Sequence, residues 1–309
     1  MLPQSEKFFK VEDSIIYFNG GFCKASEAKL SVFDHGLLYG DGVFDTCGVV
    51  NSFIFKLDRH VDRFYRSAKY LNIQIPLTKE ELKKVIVETV KRNGLLKRAF
   101  LKFICTRGAG EPFINPKFCE KPTLIVMVRP LMQTMDPVAR EKGQRAITSS
   151  VRRIPPGCGV EPRAKHLNYM NSLMMYLEAQ SVGVDEVISL DVNGFVAEAA
   201  TMNLFVITDG VFCTPATYNI LEGVTRETVL DIVKNAGYKV EVKQMTLFDL
   251  YTADEVFTTA TGAAGGGIIP LVELDGRKIG DGKVGAMTKW VKETYLQMLL
   301  DGIDGTPVI

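Results

Sequence analysis

The sequence predicts an α+β fold in two domains. Short β-branched and aromatic runs bounded by turn residues read as strands, and amphipathic stretches at helical spacing read as helices. The two kinds are mixed without a steady strand–helix–strand beat, which argues against a doubly wound parallel sheet. A less patterned polar stretch, Pro130–Gly143, separates two patterned halves. The expected organisation is a small α/β domain over 1–130, a linker over 131–142 and a larger domain over 143–309.

The elements follow in order. Ser14–Phe18 and Leu30–Phe33 read as strands, and Val43–Val50 and Ser52–Leu57 as a pair joined at Asn51–Ser52. Asp58–Leu71 places Val61, Phe64, Ala68 and Leu71 on one helical face. Thr78-Lys-Glu-Glu81 is a capping box that opens a helix ending at Asn93–Gly94. Ala99–Thr106 and Thr123–Val128 are apolar enough for central strands. In the second half, strands are expected at Arg145–Val151, Glu186–Leu190, Phe205–Ile207, Val211–Cys213, Lys239–Val242 and Glu255–Thr259. Helices are expected at Asn171–Ser181, Thr225–Asn235 and Met287–Leu300.

Composition bounds the function. The 309 residues are 46% apolar and 24% charged, ordinary for a globular chain. A net charge of +1 gives no global field toward nucleic acid or an anionic membrane, so an anionic ligand needs a local site. Six scattered cysteines without a CxxC pair, and three histidines, suggest neither a structural metal nor a disulfide framework. No apolar run approaches the ~20 residues of a membrane span, and the polar start lacks a signal core. A reduced, cytoplasmic protein is expected.

Nucleotide and hydrolase signatures are absent, which leaves four constellations. Gly223-Val224-Thr225-Arg226-Glu227 opens a helix, with Thr225 where an N-cap belongs; it reads as plain capping or as an anion site. Thr258–Gly267 sets hydroxyls and glycines directly after a strand, either a turn or a phosphate cradle. Arg63 is a partner for Asp58 or Asp62, or a bidentate grip on phosphate. Lys165, in Glu161-Pro-Arg-Ala-Lys-His-Leu-Asn-Tyr169, is a nucleophile only if its amine sheds a proton, and spacing alone does not single it out.

Taken together, these segments resemble a known family. Asp34-His-Gly-Leu-Leu-Tyr-Gly-Asp-Gly-Val-Phe44 and Phe55-Lys-Leu-Asp-Arg-His-Val-Asp-Arg63 are similar to the N-terminal signature of class IV (fold-type IV) aminotransferases, which depend on pyridoxal 5′-phosphate (PLP). Lys165–Tyr169, Leu190–Phe205, Leu221–Arg226 and Ala253–Thr261 match the rest of the pattern in order. The resemblance implies a D-amino-acid-aminotransferase-like fold whose larger domain has a β-barrel-like core, with the cofactor between the domains of a homodimer. It implies Lys165 as the Schiff-base lysine and proton shuttle, and Glu198 as the partner of the pyridine nitrogen. Tyr169 would lie near the ring's phenolic oxygen, and Arg63, Val224, Thr225 and Thr261 would bind the phosphate. The implied partners are an amino donor and a 2-oxo acid acceptor, used in turn.

Substrate choice departs from the branched-chain pattern. Where those members read Phe-Glu-Gly-x-Arg, this chain has Phe44-Asp-Thr-Cys-Gly48, and their second arginine is replaced by Lys102. Phe44, Thr46, Gly48, Lys102, Gly262 and Ala263 are the candidate pocket residues. The Phe-Asp-Thr run and Gly-Gly-Gly-Ile-Ile-Pro270 resemble (R)-amine transaminases instead. The lead expectation is a transaminase for branched-chain or other hydrophobic amino acids, extended to (R)-amines or D-amino acids. The alternatives are an aminodeoxychorismate-lyase-type enzyme on the same scaffold and a non-catalytic PLP or phosphate-ligand binding protein.

Overall fold

A computed structural model describes residues 11–131, 142–261 and 267–309. The chain divides into two compact units: Met1–Met132 with Ala164–Asn168 and Leu299–Ile309, and Gln133–Arg163 with Tyr169–Met298. Residues 132–141 of the expected linker lie outside the described residues, as do the pocket candidates Gly262 and Ala263. The expected larger domain over 143–309 is interrupted once, by Ala164–Asn168, and loses its end, Leu299–Ile309, because both segments hydrogen-bond to the first unit's sheet.

The first unit is built on β1 (Ile15–Phe18), β2 (Gly21–Lys24), β3 (Gly42–Val50), β4 (Phe53–Phe55), β5 (Arg98–Thr106) and β6 (Thr123–Pro130). With the Gly305–Pro307 strand they form one seven-stranded sheet, in which that strand pairs with β4, then come β3, β5, β6, β1 and β2. β3 and β5 run antiparallel from Gly42 opposite Thr106 to Val50 opposite Arg98. Strand alternation therefore separates two faces. Val43, Cys47 and Val49 enter a core with Leu101, Phe103 and the helices α2 (Leu57–Tyr70) and α3 (Lys79–Asn93). Phe44, Thr46, Gly48, Phe100, Lys102 and Ile104 share the opposite face.

The expected capping box closes α3: Glu81 N–H donates to Thr78 Oγ1 at 3.3 Å and Thr78 N–H to Glu81 Oε2 at 2.7 Å. The Asn51–Ser52 turn has φ of 48° and 68°, the left-handed pair that a tight hairpin needs. Leu30–Phe33 is not a strand. The buried Asp34 carboxylate draws the chain into a turn by accepting from Gly36 N–H at 2.8 Å and from the Thr106 and Thr123 hydroxyls at 2.9 Å each. A short helix, α1 (His35–Tyr39), starts there.

The second unit holds β7 (Gln144–Thr148), β8 (Glu186–Leu190), β9 (Val196–Ala199), β10 (Asn203–Thr208), β11 (Val211–Thr214), β12 (Val240–Val242), β13 (Glu255–Thr259), β14 (Ile268–Leu274) and β15 (Arg277–Lys278). The sheet order is β12-β11-β10-β13-β14-β7-β8-β9, with β15 beside β14. β9 ends this path, yet Ala199 N–H donates to Met202 O at 2.8 Å just before β10 in the sheet's interior. A link that short brings the end of the path back toward its middle, which curls the sheet. The helices are α4 (Met170–Val182), α5 (Val224–Asn235), α6 (Leu247–Tyr251) and α7 (Ala286–Leu300).

Glu186 of β8 is wholly buried; its Oε1 takes Val187 N–H at 3.0 Å and Ala200 N–H at 3.4 Å, and its Oε2 has no partner. Burial pushes this carboxyl up to about 7, against the pull of the two N–H groups. A folded-state pKa above the unfolded value gives stability that is present at acid pH and lost as pH rises through about 7. Glu186→Gln should therefore gain denaturant midpoint over wild type at pH 8 by more than at pH 5. Equal gaps at the two pH values would contradict this.

Candidate active site

Each unit carries a group of the candidate residues. In the first, Ala164–Asn168 lies antiparallel along the part of β3 that β4 does not cover. Phe44 N–H donates to Lys165 O at 3.0 Å, Leu167 N–H to Gly42 O at 2.9 Å, and Lys165 N–H to Ser67 Oγ at 2.9 Å. These bonds fix the Lys165 backbone without using its side chain. Lys165 is 8% exposed and is the only lysine among the buried described residues. Its Nζ lies 4.6 Å from the centroid of the Phe44 ring, and Lys102 Nζ lies 4.5 Å from the same ring. Thr46 sits directly opposite Lys102 in the ladder, and Gly48 lies two residues further along that face. Burial, and then the charge of Lys165, hold the Lys102 amine below the usual lysine range.

Arg63 is not a surface partner of Asp58 or Asp62, which pair with Lys83 and Lys79. Its Nε and Nη2 form a fork on the Asp45 carboxylate at 2.8 and 2.7 Å. His60 Nδ1 shares Asp45 Oδ1 at 2.8 Å, and Thr46 N–H donates to the same oxygen at 2.7 Å. Burial would raise the Asp45 carboxyl, but the Arg63 and His60 charges outweigh it and hold the group well below the usual carboxylate range. Burial also pushes His60 down, with Asp45 opposing. Asp45 thus sets the orientation of the guanidinium.

In the second unit, Glu198 projects from the fully buried β9. Arg153 Nη2 lies 3.2 Å from its Oε1, while Asn203 Nδ2 and Leu221 N–H donate to its Oε2 at 3.0 and 3.3 Å. The same Asn203 amide donates to Leu221 O at 2.9 Å, which ties the strand to the loop entering α5. Gly223 is fixed by this arrangement, since a Cβ there would lie 1.9 Å from Asn203 Oδ1.

The N-cap of α5 is Gly223, not Thr225 as expected, and it offers no side-chain cap. Thr225 sits inside the first turn, where its buried hydroxyl lies 3.0 Å from Thr261 Oγ1. The two threonines expected at the phosphate are thus brought together. Tyr169 caps α4 and is half-buried.

Several observations fit a phosphorylated aromatic aldehyde. The α5 start has no side-chain cap on its first-turn N–H groups, the arrangement that receives phosphate. Two buried polar atoms, Thr259 Oγ1 and Arg153 Nε, have no protein partner. Thr259 pairs with Asn203 across the ladder and so faces the Glu198 side of the sheet. Among the described residues no cluster of three His, Cys, Asp or Glu could hold a metal ion, and no helix is long and apolar enough to cross a membrane.

Residues 42–273 match the family model described as amino-transferase class IV, and the chain belongs to the class IV PLP-dependent aminotransferases. It is similar to a putative branched-chain-amino-acid aminotransferase of Methanocaldococcus jannaschii, 46% identical over 91% of this chain and 94% of the relative. A branched-chain-amino-acid aminotransferase of Pseudomonas aeruginosa is 32% identical, covering 93% of both chains. Among solved structures, a T.th. branched-chain amino acid aminotransferase with pyridoxamine 5′-phosphate superposes with a TM-score of 0.90 at 36% identity, covering 97% of this chain and 100% of the other. The same enzyme is also solved with N-(5′-phosphopyridoxyl)-L-glutamate.

Sequence reasoning missed Asp45, His60, Ser67, Arg153 and Asn203. Asp45 had a local signal in the Phe44-Asp-Thr run, and His60 lies three residues before Arg63 in the Phe55–Arg63 run. The others are read from side chains that meet across distant elements.

Proposed function

We propose that this chain transfers the amino group of a branched-chain or other hydrophobic amino acid to a 2-oxo acid, with PLP as cofactor. Lys165 holds the cofactor aldehyde, Glu198 meets the ring nitrogen and Tyr169 the phenolic oxygen. Arg63, the first turn of α5 at Val224 and Thr225, and Thr261 hold the phosphate. The observation that carries this reading is Lys165, the one buried lysine among the described residues, with its amine against the Phe44 ring.

When bound, PLP supplies an electron sink that lets a bond at the substrate α-carbon break. Lys165 Nζ takes the proton from that carbon and returns it, and burial limits exchange with bulk water. Arg153, Asn203 and the Leu221 N–H hold the Glu198 carboxylate in one orientation. On the face of the first unit's sheet opposite its helices, Phe44, Phe100 and Ile104 suit an apolar side chain. Lys102 offers a single cation where an arginine fork would give two bonds, and an arriving carboxylate would favour its charged form. The same residues serve donor and acceptor in turn, giving ping-pong kinetics.

The active form in this reading is a homodimer or a multiple of one. Val32, Phe33, Leu37, Phe113 and Ile114 present apolar side chains to solvent on one protomer, and a partner subunit would cover them.

A donor panel with the purified PLP-loaded protein tests the assignment, using L-amino acids, D-amino acids and (R)-amines against 2-oxoglutarate and pyruvate. The highest kcat/KM is expected for branched-chain L-amino acids. A preference for D-amino acids or (R)-amines would overturn the donor assignment while leaving transamination intact.

A further inference from the structure

The C-terminal helix places a side chain at the phosphate group of residues. Tyr295 of α7 is 2% exposed, and its hydroxyl lies 3.4 Å from Thr225 Oγ1. Thr225 Oγ1 in turn lies 3.0 Å from Thr261 Oγ1. Three elements distant in sequence therefore meet in one chain of hydroxyls: α7, the first turn of α5 and the segment after β13. Gly267 makes the approach possible. It has φ +65°, and a Cβ there would lie 2.9 Å from Tyr295 Cε1 and 3.3 Å from Thr225 Cγ2. Its carbonyl also accepts from Ala260 N–H at 2.8 Å.

The direction of these hydrogen bonds matters to an anion. A hydroxyl donates one proton and accepts through two lone pairs, whereas a phosphate dianion needs donors. Burial pushes the Tyr295 phenol up to about 12, so it keeps its proton throughout the working pH range. A phenol donating into Thr225 Oγ1 fills an acceptor position and leaves the threonine proton to be given away. Because the two threonine hydroxyls share one hydrogen bond, the chain keeps one threonine proton free, preset to donate before any ligand arrives.

We propose that Tyr295 is a positioning residue that, from the C-terminal helix, orders the Thr225–Thr261 hydroxyl pair so that its one free proton is presented to the cofactor phosphate. This rests on the phosphate role given to those threonines above.

The test uses the full-length apo-protein and two probes that do not condense with Lys165: pyridoxamine 5′-phosphate, and pyridoxamine without the phosphate. Tyr295→Phe keeps the ring against Gly267 and removes only the hydroxyl. It is expected to weaken pyridoxamine 5′-phosphate binding roughly fivefold, the size of one net hydrogen bond. Pyridoxamine affinity and the apo-protein's thermal midpoint should stay close to wild type, and the phosphorus-31 resonance of the bound phosphate should move. In a Thr225→Ala background the same change should add little, because the hydroxyl through which Tyr295 acts is gone. A Tyr295→Phe protein that binds the phosphorylated probe as tightly as wild type, or loses both probes alike, overturns the proposal. Wild-type protein that binds the two probes equally well overturns the phosphate assignment itself, and the proposal with it.

Discussion

Replacing Lys165 with alanine is expected to lower turnover by at least roughly a thousandfold, the scale of losing a positioned proton-transfer group. The visible absorption of lysine-bound cofactor should disappear with it. The fold should survive, because the segment is fastened by main-chain groups: Lys165 O receives Phe44 N–H, and Lys165 N–H donates to Ser67 Oγ. Circular dichroism and the thermal midpoint check this half of the expectation. Lys165→Arg should not restore activity, since a guanidinium does not give up its proton in a protein. Normal turnover in Lys165→Ala would contradict the assignment.

The second large effect concerns stability. The Asp45 carboxylate bonds both Arg63 and His60, and all three side chains are buried. Removing one partner of such a group leaves an uncompensated charge, so Asp45→Ala should cost about 3–5 kcal/mol. The pH dependence has a definite sign. The folded Asp45 carboxyl is held below its unfolded value, so its contribution is present above ~4 and lost as pH falls below that. Folded His60 is also held below its unfolded value, so the unfolded chain gains a proton first as pH falls through ~6.5. Wild-type stability should therefore fall in both acid windows, and Asp45→Ala should lack the lower one. A stability loss of less than about 1 kcal/mol in that variant, the worth of an exposed pair, would contradict a buried charge network.

Much of the local structure was legible in the sequence because local signals set it. Glu186–Leu190 and Glu255–Thr259 match their strands to the residue, since turn residues bound each apolar run. The Thr78–Glu81 capping box and the Asn51–Ser52 turn are likewise local chemistry. Elements that depend on distant partners were not legible. β9 reads poorly as a strand because a glutamate sits in its middle, where Arg153, Asn203 and the Leu221 N–H hold it. β14 contains Pro270, which normally argues against a central strand. The Gly305–Pro307 strand exists only because β4 offers an edge to pair with.

The candidate site divides in the same way. The resemblance pointed to Lys165, Glu198, Thr225 and Thr261, and the structure puts Thr225 beside Thr261 and Lys165 against Phe44. It did not reveal that Arg63 faces a buried aspartate, nor that the α5 cap is Gly223. Residue order carries no information about which side chains meet from opposite ends of a chain.

The central claim is a lysine-held cofactor that accepts an amino group and passes it on. A single-turnover experiment tests it most directly, with holoenzyme and one branched-chain amino acid and no acceptor present. One equivalent of 2-oxo acid per Lys165 should form and then stop until a second 2-oxo acid is added. Continued release without acceptor, or no release at all, would contradict the account.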